Sequence, residues 1–182
     1  MPITLPDFDK EQFLQGEILG LTIGGAFSRG KVYRERKPVP TEAEKRKLRK
    51  AIAEHLNRLK EEYREKVADE KHVRNITQLA EELSGCFCKI LRGDHLRIGT
   101  AQKLLNLYLK YYWVLGRICE PPHCPLDGTI IAKLKLNTKI NWTELDCVDQ
   151  YRALIKAARE AAKKSGLSIA VWELKKFKRK TA

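Results

Sequence analysis

Long apolar runs are missing from this chain. The richest, Leu104 to Ile118, is interrupted by Asn106, Lys110 and Arg117, and it falls short of the roughly 20 apolar residues that a spanning helix needs. No membrane-spanning helix is expected. The opening Met1-Pro2-Ile3-Thr4-Leu5-Pro6-Asp7-Phe8-Asp9 has no basic segment leading into an apolar core, so the export signal that such a pattern marks is not expected either. Cysteine is scarce and poorly spaced. Five residues, an odd number, include a Cys-x-Cys at 86 and 88 and a Cys-x4-Cys at 119 and 124; neither is the Cys-x2-Cys pair usual at structural zinc. Reduced thiols in the cytoplasm, near the nucleoid, fit better than a disulfide scaffold. Zinc held by Cys86, Cys88, Cys119, His123 and Cys124 is the disfavoured alternative, and neither metal nor cofactor is expected.

Negative charge is also in short supply. Lys and Arg number 36 against 23 Asp and Glu, a formal charge of +13 over 182 residues. That balance favours a polyanionic partner, nucleic acid before an anionic membrane surface.

What the chain has in quantity is helical periodicity. Pro38-Val39-Pro40 gives way to Thr41 and Glu44, the two halves of a capping box, and Leu48, Ile52, Leu56, Leu59, Tyr63 and Val67 then recur every three or four residues. One amphipathic helix over 42–68 follows. Further helices are expected over 73–83, stopped by Ser84-Gly85, over 100–115, stopped at Gly116, and over 128–134, with Asp127 as its cap. Two more are expected from Val148 to near Gly166 and over 168–178, the last with a basic tail. Gly16, Gly20, Gly24, Gly25 and Gly30 argue for turns or a short β-hairpin before residue 40, with Lys31-Val32-Tyr33-Arg34 as a strand. The expected architecture is mainly α: a glycine-rich flap or hairpin at 1–40, then a compact helical domain at 41–182.

The helix from Thr100 is apolar nearly all round, so it belongs in the interior. Lys103, Asn106 and Lys110 fall on one stripe of it. Such a seam either faces solvent as ordinary charge or lines a cleft. In a cleft, partial desolvation and a neighbouring Lys110 would leave enough uncharged Lys103 amine to attack carbon. Asp127 has two compatible roles, as the cap of the next helix and as a fixed carboxylate opposing positive charge at a sugar C1′. Tyr108, Tyr111, Tyr112, Trp113, Trp142 and Trp172 are either core or walls for an extruded base.

Ile98-Gly99-Thr100-Ala101-Gln102-Lys103, the apolar helix after it, and Pro125-Leu126-Asp127-Gly128-Thr129-Ile130 resemble the core of the helix-hairpin-helix DNA glycosylases, in particular the 8-oxoguanine branch with its archaeal members. Leu167 to Leu174 looks like the closing helix of the archaeal enzymes. The segment Arg92-Gly93-Asp94-His95-Leu96-Arg97-Ile98-Gly99 departs from the family's Leu-Pro-Gly-Val-Gly hairpin. The resemblance implies a glycosylase with AP lyase activity on double-stranded DNA that carries a damaged or modified base, acting as a monomer. Lys103 would form the Schiff base and Asp127 would assist. Arg97, Gly99, Thr100 and Lys110 would hold the DNA, and Tyr112, Trp142 and Trp172 would line the base pocket. The alternative from another class is a non-catalytic basic helical protein that binds nucleic acid or bridges it to a partner.

Overall fold

A computed structural model describes residues 7–136 and 140–177. Seven α-helices make up most of it: α1 (Asp7–Phe27), α2 (Glu42–Glu62), α3 (Asp69–Phe87), α4 (Ile98–Val114), α5 (Gly128–Lys133), α6 (Val148–Lys163) and α7 (Ile169–Lys176). Short 3-10 turns lie at Cys88–Ile90, Arg92–Asp94 and Trp142–Glu144. The basic tail beyond residue 177 lies outside the described residues.

The capping box forms as its sequence dictates. Thr41 Oγ1 accepts the Glu44 N–H and Glu44 Oε2 accepts the Thr41 N–H at 2.8 Å, which satisfies two otherwise free donors. Leu48, Ile52, Leu56 and Leu59 then bury one stripe of α2. The helix ends at Glu62, short of the expected 68, because Tyr63 leaves it to enter the core. There its hydroxyl lies 2.6 Å from His72 Nδ1. Helix α3 runs through Ser84 and Gly85 to Phe87. The Ser84 hydroxyl bonds back to Ala80 O and accepts the Leu96 N–H, and the turn falls at Arg92–Asp94 instead.

Helix α4 is the axis of the molecule, with α1, α2, α3, α6 and the Trp142–Glu144 turn packed against it. It is buried on almost every side and stops where expected, at Gly116 (φ +70°).

The N-terminal expectation is corrected. Residues 7–27 form a helix, not a hairpin, and Lys31–Arg34 contributes only one antiparallel bridge, Tyr33 to Leu91. Each helical glycine costs roughly 0.5–1 kcal/mol against alanine. The buried face of Ile18, Thr22 and Ala26, with Leu14, Leu19, Ile23 and Phe27 packed against the core beside it, offsets this, each buried isoleucine side chain contributing about 1.5–3 kcal/mol. Gly25 has a packing reason of its own: a Cβ there would lie 2.9 Å from Leu107 Cδ2 on α4.

Candidate active site

The site begins at the first turn of α4. The Gly99 N–H donates to Leu145 O at 2.7 Å, and a Cβ at position 99 would stand 1.8 Å from Trp142 O, a separation no side chain tolerates. This contact seats the Trp142–Glu144 turn against α4 and brings the indole beside Lys103, whose Nζ is 5.9 Å from the ring centroid.

One helical turn on, Lys103 Nζ donates to Asp127 Oδ2 at 2.8 Å. The other carboxylate oxygen, Oδ1, accepts the Ile130 N–H at 3.0 Å and so caps α5. The capping role read from the sequence for Asp127 is thus met, and the same side chain holds Lys103. The Lys103 side chain is 7% exposed and that of Asp127 17%. Burial pushes the Asp127 carboxyl up. The Lys103 ammonium and the N–H groups of Ile130 and Thr129 more than offset this, holding it below the ordinary aspartate value.

Two turns along the same face, Lys110 pairs with Glu173 of α7. Lys110 Nζ donates to Oε1 at 3.0 Å and lies 2.7 Å from Oε2. Lys110 is therefore turned to a carboxylate of its own. Burial raises the Glu173 carboxyl above its usual value, with Lys110 drawing it partly back. Cys124 is buried in the same charge environment. Burial, then Glu173, push its thiol well up, so it stays protonated.

The two pairs open into one cleft of about 700 Å³. Leu21, Gly25 and Arg29 form one wall, Leu107 and Tyr111 of α4 the back, and Trp142 and Phe177 supply aromatic faces. The Phe177 ring centroid is 4.6 Å from Lys110 Nζ. Arg29, Gly128 and Trp142 also border an adjoining groove of about 770 Å³ that contains Lys135, Asn141 and Thr143.

Of the expected site residues, Lys103, Asp127, Lys110 and Trp142 meet here. The others do not. Asn106 is rotated off the stripe; cleft-lining α4 residues are 103, 107, 110 and 111, and Asn106 instead accepts from His72 Nε2 and donates to Gln102 and Tyr151 in a buried polar network. Gly99 spends its N–H on Leu145, and Thr100 is buried, so neither is free to grip a phosphate. Arg97 donates to Thr143 O, bracing the turn that carries Trp142. Tyr112 lies on another side of α4 and lines a separate hollow with Glu11, Lys60 and Arg117. Trp172 is buried away from the cleft, next to Leu134 and Ala161. Among the described residues no three His, Cys, Asp or Glu side chains are grouped to hold a metal ion.

Glu173, Phe177 and Arg29 are the cleft residues that sequence reading passed over. Glu173 left a signal: it is the one acid in Ile169-Ala170-Val171-Trp172-Glu173-Leu174, and a lone charge in an apolar stretch needs a buried partner. No protein-family model matches the chain, and neither a curated protein nor a solved structure matches it.

Proposed function

We propose that the protein is a DNA glycosylase with AP lyase activity, excising a damaged or modified base through a Schiff base on Lys103. The observation that carries the reading is the Lys103–Asp127 pair, 2.8 Å apart at the wall of an aromatic-lined cleft. The cleft has room for an extruded nucleobase. Three cations, Lys103, Lys110 and Arg29, face two carboxylates there, a balance suited to a phosphodiester near the mouth.

Lys103 passes a proton to water, leaving Asp127 ionised, and its free amine attacks C1′. The glycosidic C–N bond breaks with its electron pair leaving on the base, which takes up a proton from water. Asp127 opposes the positive charge that develops at C1′. Opening of the sugar gives the iminium, from which loss of a 2′ proton expels the 3′ phosphate. A caged ion pair gives Asp127 a second task, holding the long lysine side chain in one orientation before substrate arrives.

Borohydride trapping tests this directly. Duplexes bearing 8-oxoguanine or an abasic site are expected to form a covalent adduct with the protein and none with Lys103→Gln. An adduct that survives Lys103→Gln overturns the residue assignment. Duplex binding without an adduct on any damaged substrate favours the non-catalytic nucleic-acid-binding reading, which draws on the same surplus of positive charge.

A further inference from the structure

A second groove, of about 760 Å³, lies between the end of α5 and the helices α6 and α7, and neither Lys103 nor Asp127 lines it. Its apolar lining comes from Leu134 and Leu136, from Ala157 and Ala161 of α6, and from Trp172 of α7. Beside these stand four lysines, Lys133, Lys135, Lys164 and Lys176, against a single acid, Glu160. All four lysines are exposed. Elsewhere cations are matched, as Lys103 is with Asp127, Lys110 with Glu173, Arg152 with Glu70 and Arg159 with Asp69, whereas among the described residues no carboxylate is paired with any of the four. Lysines on a surface are ordinarily solvated charge; four of them around an apolar lining are a charged rim on a surface that has something to bury.

At Lys135 the charge is kept against the preference of the backbone. The residue follows Leu134, the C-cap of α5, and holds φ +51°, in the left-handed region that a Cβ disfavours and that glycine usually fills just past a helix end. A lysine stands there instead, where this groove meets the one bordered by Arg29. Strain of this kind is concentrated at functional positions.

The lining narrows the occupant. Four cations to one carboxylate call for an anionic ligand, and the leucines and alanines call for apolar side chains to be buried with it. A nucleic-acid backbone brings no such side chains, and its bases stack on open ring faces, whereas Trp172 is only 3% exposed. The chain's own Lys178-Arg179-Lys180 carries the wrong sign, and a second copy approaches with a like charge of +13. We propose that this groove docks an acidic amphipathic segment of a partner protein, its carboxylates meeting Lys135 and Lys164 and its apolar side chains covering Leu134, Leu136 and Ala161. The proposal goes beyond the glycosylase reading and does not depend on it.

Fluorescence anisotropy on the full chain tests it with a labelled helical peptide of about 14 residues, built from glutamate, alanine and leucine with the leucines at three- and four-residue steps. One control peptide replaces leucine by serine, another replaces glutamate by lysine, and an undamaged DNA duplex is titrated alongside. Wild type is expected to bind the acidic leucine peptide at least tenfold more tightly than either control. Lys135→Gly combined with Lys164→Glu is expected to weaken that binding at least tenfold. Lys135→Gly alone removes the ammonium and relieves the strained φ, so it should weaken the peptide with a melting temperature no lower than that of wild type. Equal binding of the serine control reduces the site to charge alone and overturns the proposal, as does a peptide affinity that the double variant leaves unchanged. Loss of duplex binding in the double variant, with no peptide bound by wild type, overturns it in favour of a nucleic-acid track. Self-association of wild type in sedimentation that the double variant abolishes, again with no peptide bound, overturns it in favour of a second copy.

Discussion

Asp127 holds Lys103 with one carboxylate oxygen and the first turn of α5 with the other. Removing charge alone and removing the whole side chain should therefore have separable effects. Asp127→Asn keeps an oxygen for the Ile130 N–H but leaves the Lys103 ammonium buried without a counter-charge, a loss of about 3 kcal/mol by analogy with broken buried pairs. Asp127→Ala also deletes the cap, about 1 kcal/mol more. Urea unfolding of the two variants at neutral pH measures the difference. Equal destabilisation would show that the cap contributes nothing.

Acid acts on the same residue with a definite sign. The folded Asp127 carboxyl sits below its ordinary value near 3.8, so its contribution to stability is complete above about pH 4 and is lost as pH falls through the lower, folded value. Glu173, raised above 4.5, works the other way: its burial as an anion costs stability at neutral pH, and protonation on acidification relieves that cost. As pH falls from neutral toward 4.5, Glu173→Gln should therefore flatten an upward contribution to stability, whereas Asp127→Asn leaves that interval unchanged. Chemical denaturation series across this range, compared with wild type, give the two slopes.

Gly99 offers a structural test with no charge involved. A methyl group at this position meets Trp142 O at 1.8 Å, and backbone has no rotamer with which to yield. Gly99→Ala is expected to cost more than about 3 kcal/mol, the upper end for overpacked sites, and to shift the indole signal of Trp142 as the turn is pushed from α4. An unperturbed indole with full stability would mean that the turn is not seated by this contact.

The readable part of the molecule was the part governed by local rules. The Thr41–Glu44 box, the stop at Gly116 and the capping role of Asp127 each depend on a few adjacent residues, and each is found where the sequence puts it. Lys103 and Asp127 could be singled out because a lysine on an apolar helix and an aspartate before a helix both stand out against their surroundings. What failed was rotational and tertiary. Three- and four-residue steps place Lys103, Asn106 and Lys110 within one broad stripe, but a stripe that wide covers both the cleft and the His72 network, and only packing decides which side Asn106 joins. Residue type and the family resemblance group Tyr112 and Trp172 with Trp142, whereas the three rings face different hollows. The glycines of α1 read as turns because the cost of helical glycine is local, while the burial of Ile18, Thr22 and Ala26 that offsets it depends on α4, some eighty residues away.

The histidines should titrate in two opposed ways. His72 and His123 are buried with ring centroids 4.5 Å apart. Burial and, for His72, the charge of the other ring hold both below the ordinary value near 6.5. His95 is pulled down by partial burial, but its bonds to Asp146 and to Gly93 O prevail and raise it. For the buried two the sign is fixed: their contribution to stability is complete above pH 6.5 and declines as pH falls toward their lower folded values, because the unfolded chain binds protons first. Imidazole proton shifts followed by NMR as pH falls from 8 should move first for His95, and only at lower pH for His123 and His72. A full titration of His123 near pH 6.5 would mean that the loop carrying Cys124 and Asp127 is not pinned by this ring.

The last prediction separates the rings that line the cleft from those that only resemble such rings in sequence. Trp142 and Phe177 border the cleft, Tyr112 and Trp172 other hollows. If a base is held in the cleft by stacking, loss of an aromatic face should cost about 1–3 kcal/mol of binding, or roughly 5- to 150-fold. Phe177→Ala, at the end of a helix and only partly buried, should weaken capture of a damaged duplex by that factor without lowering the melting temperature by more than a few degrees. Tyr112→Phe keeps its ring and should change neither. Trp142→Phe retains a smaller face beside Lys103 and should fall between the two in single-turnover excision. If Tyr112→Phe weakened capture as much as Phe177→Ala, the base would have to enter from the Glu11 and Lys60 side of α4, where neither Lys103 nor Asp127 lines the hollow, and the cleft would lose its claim to the chemistry.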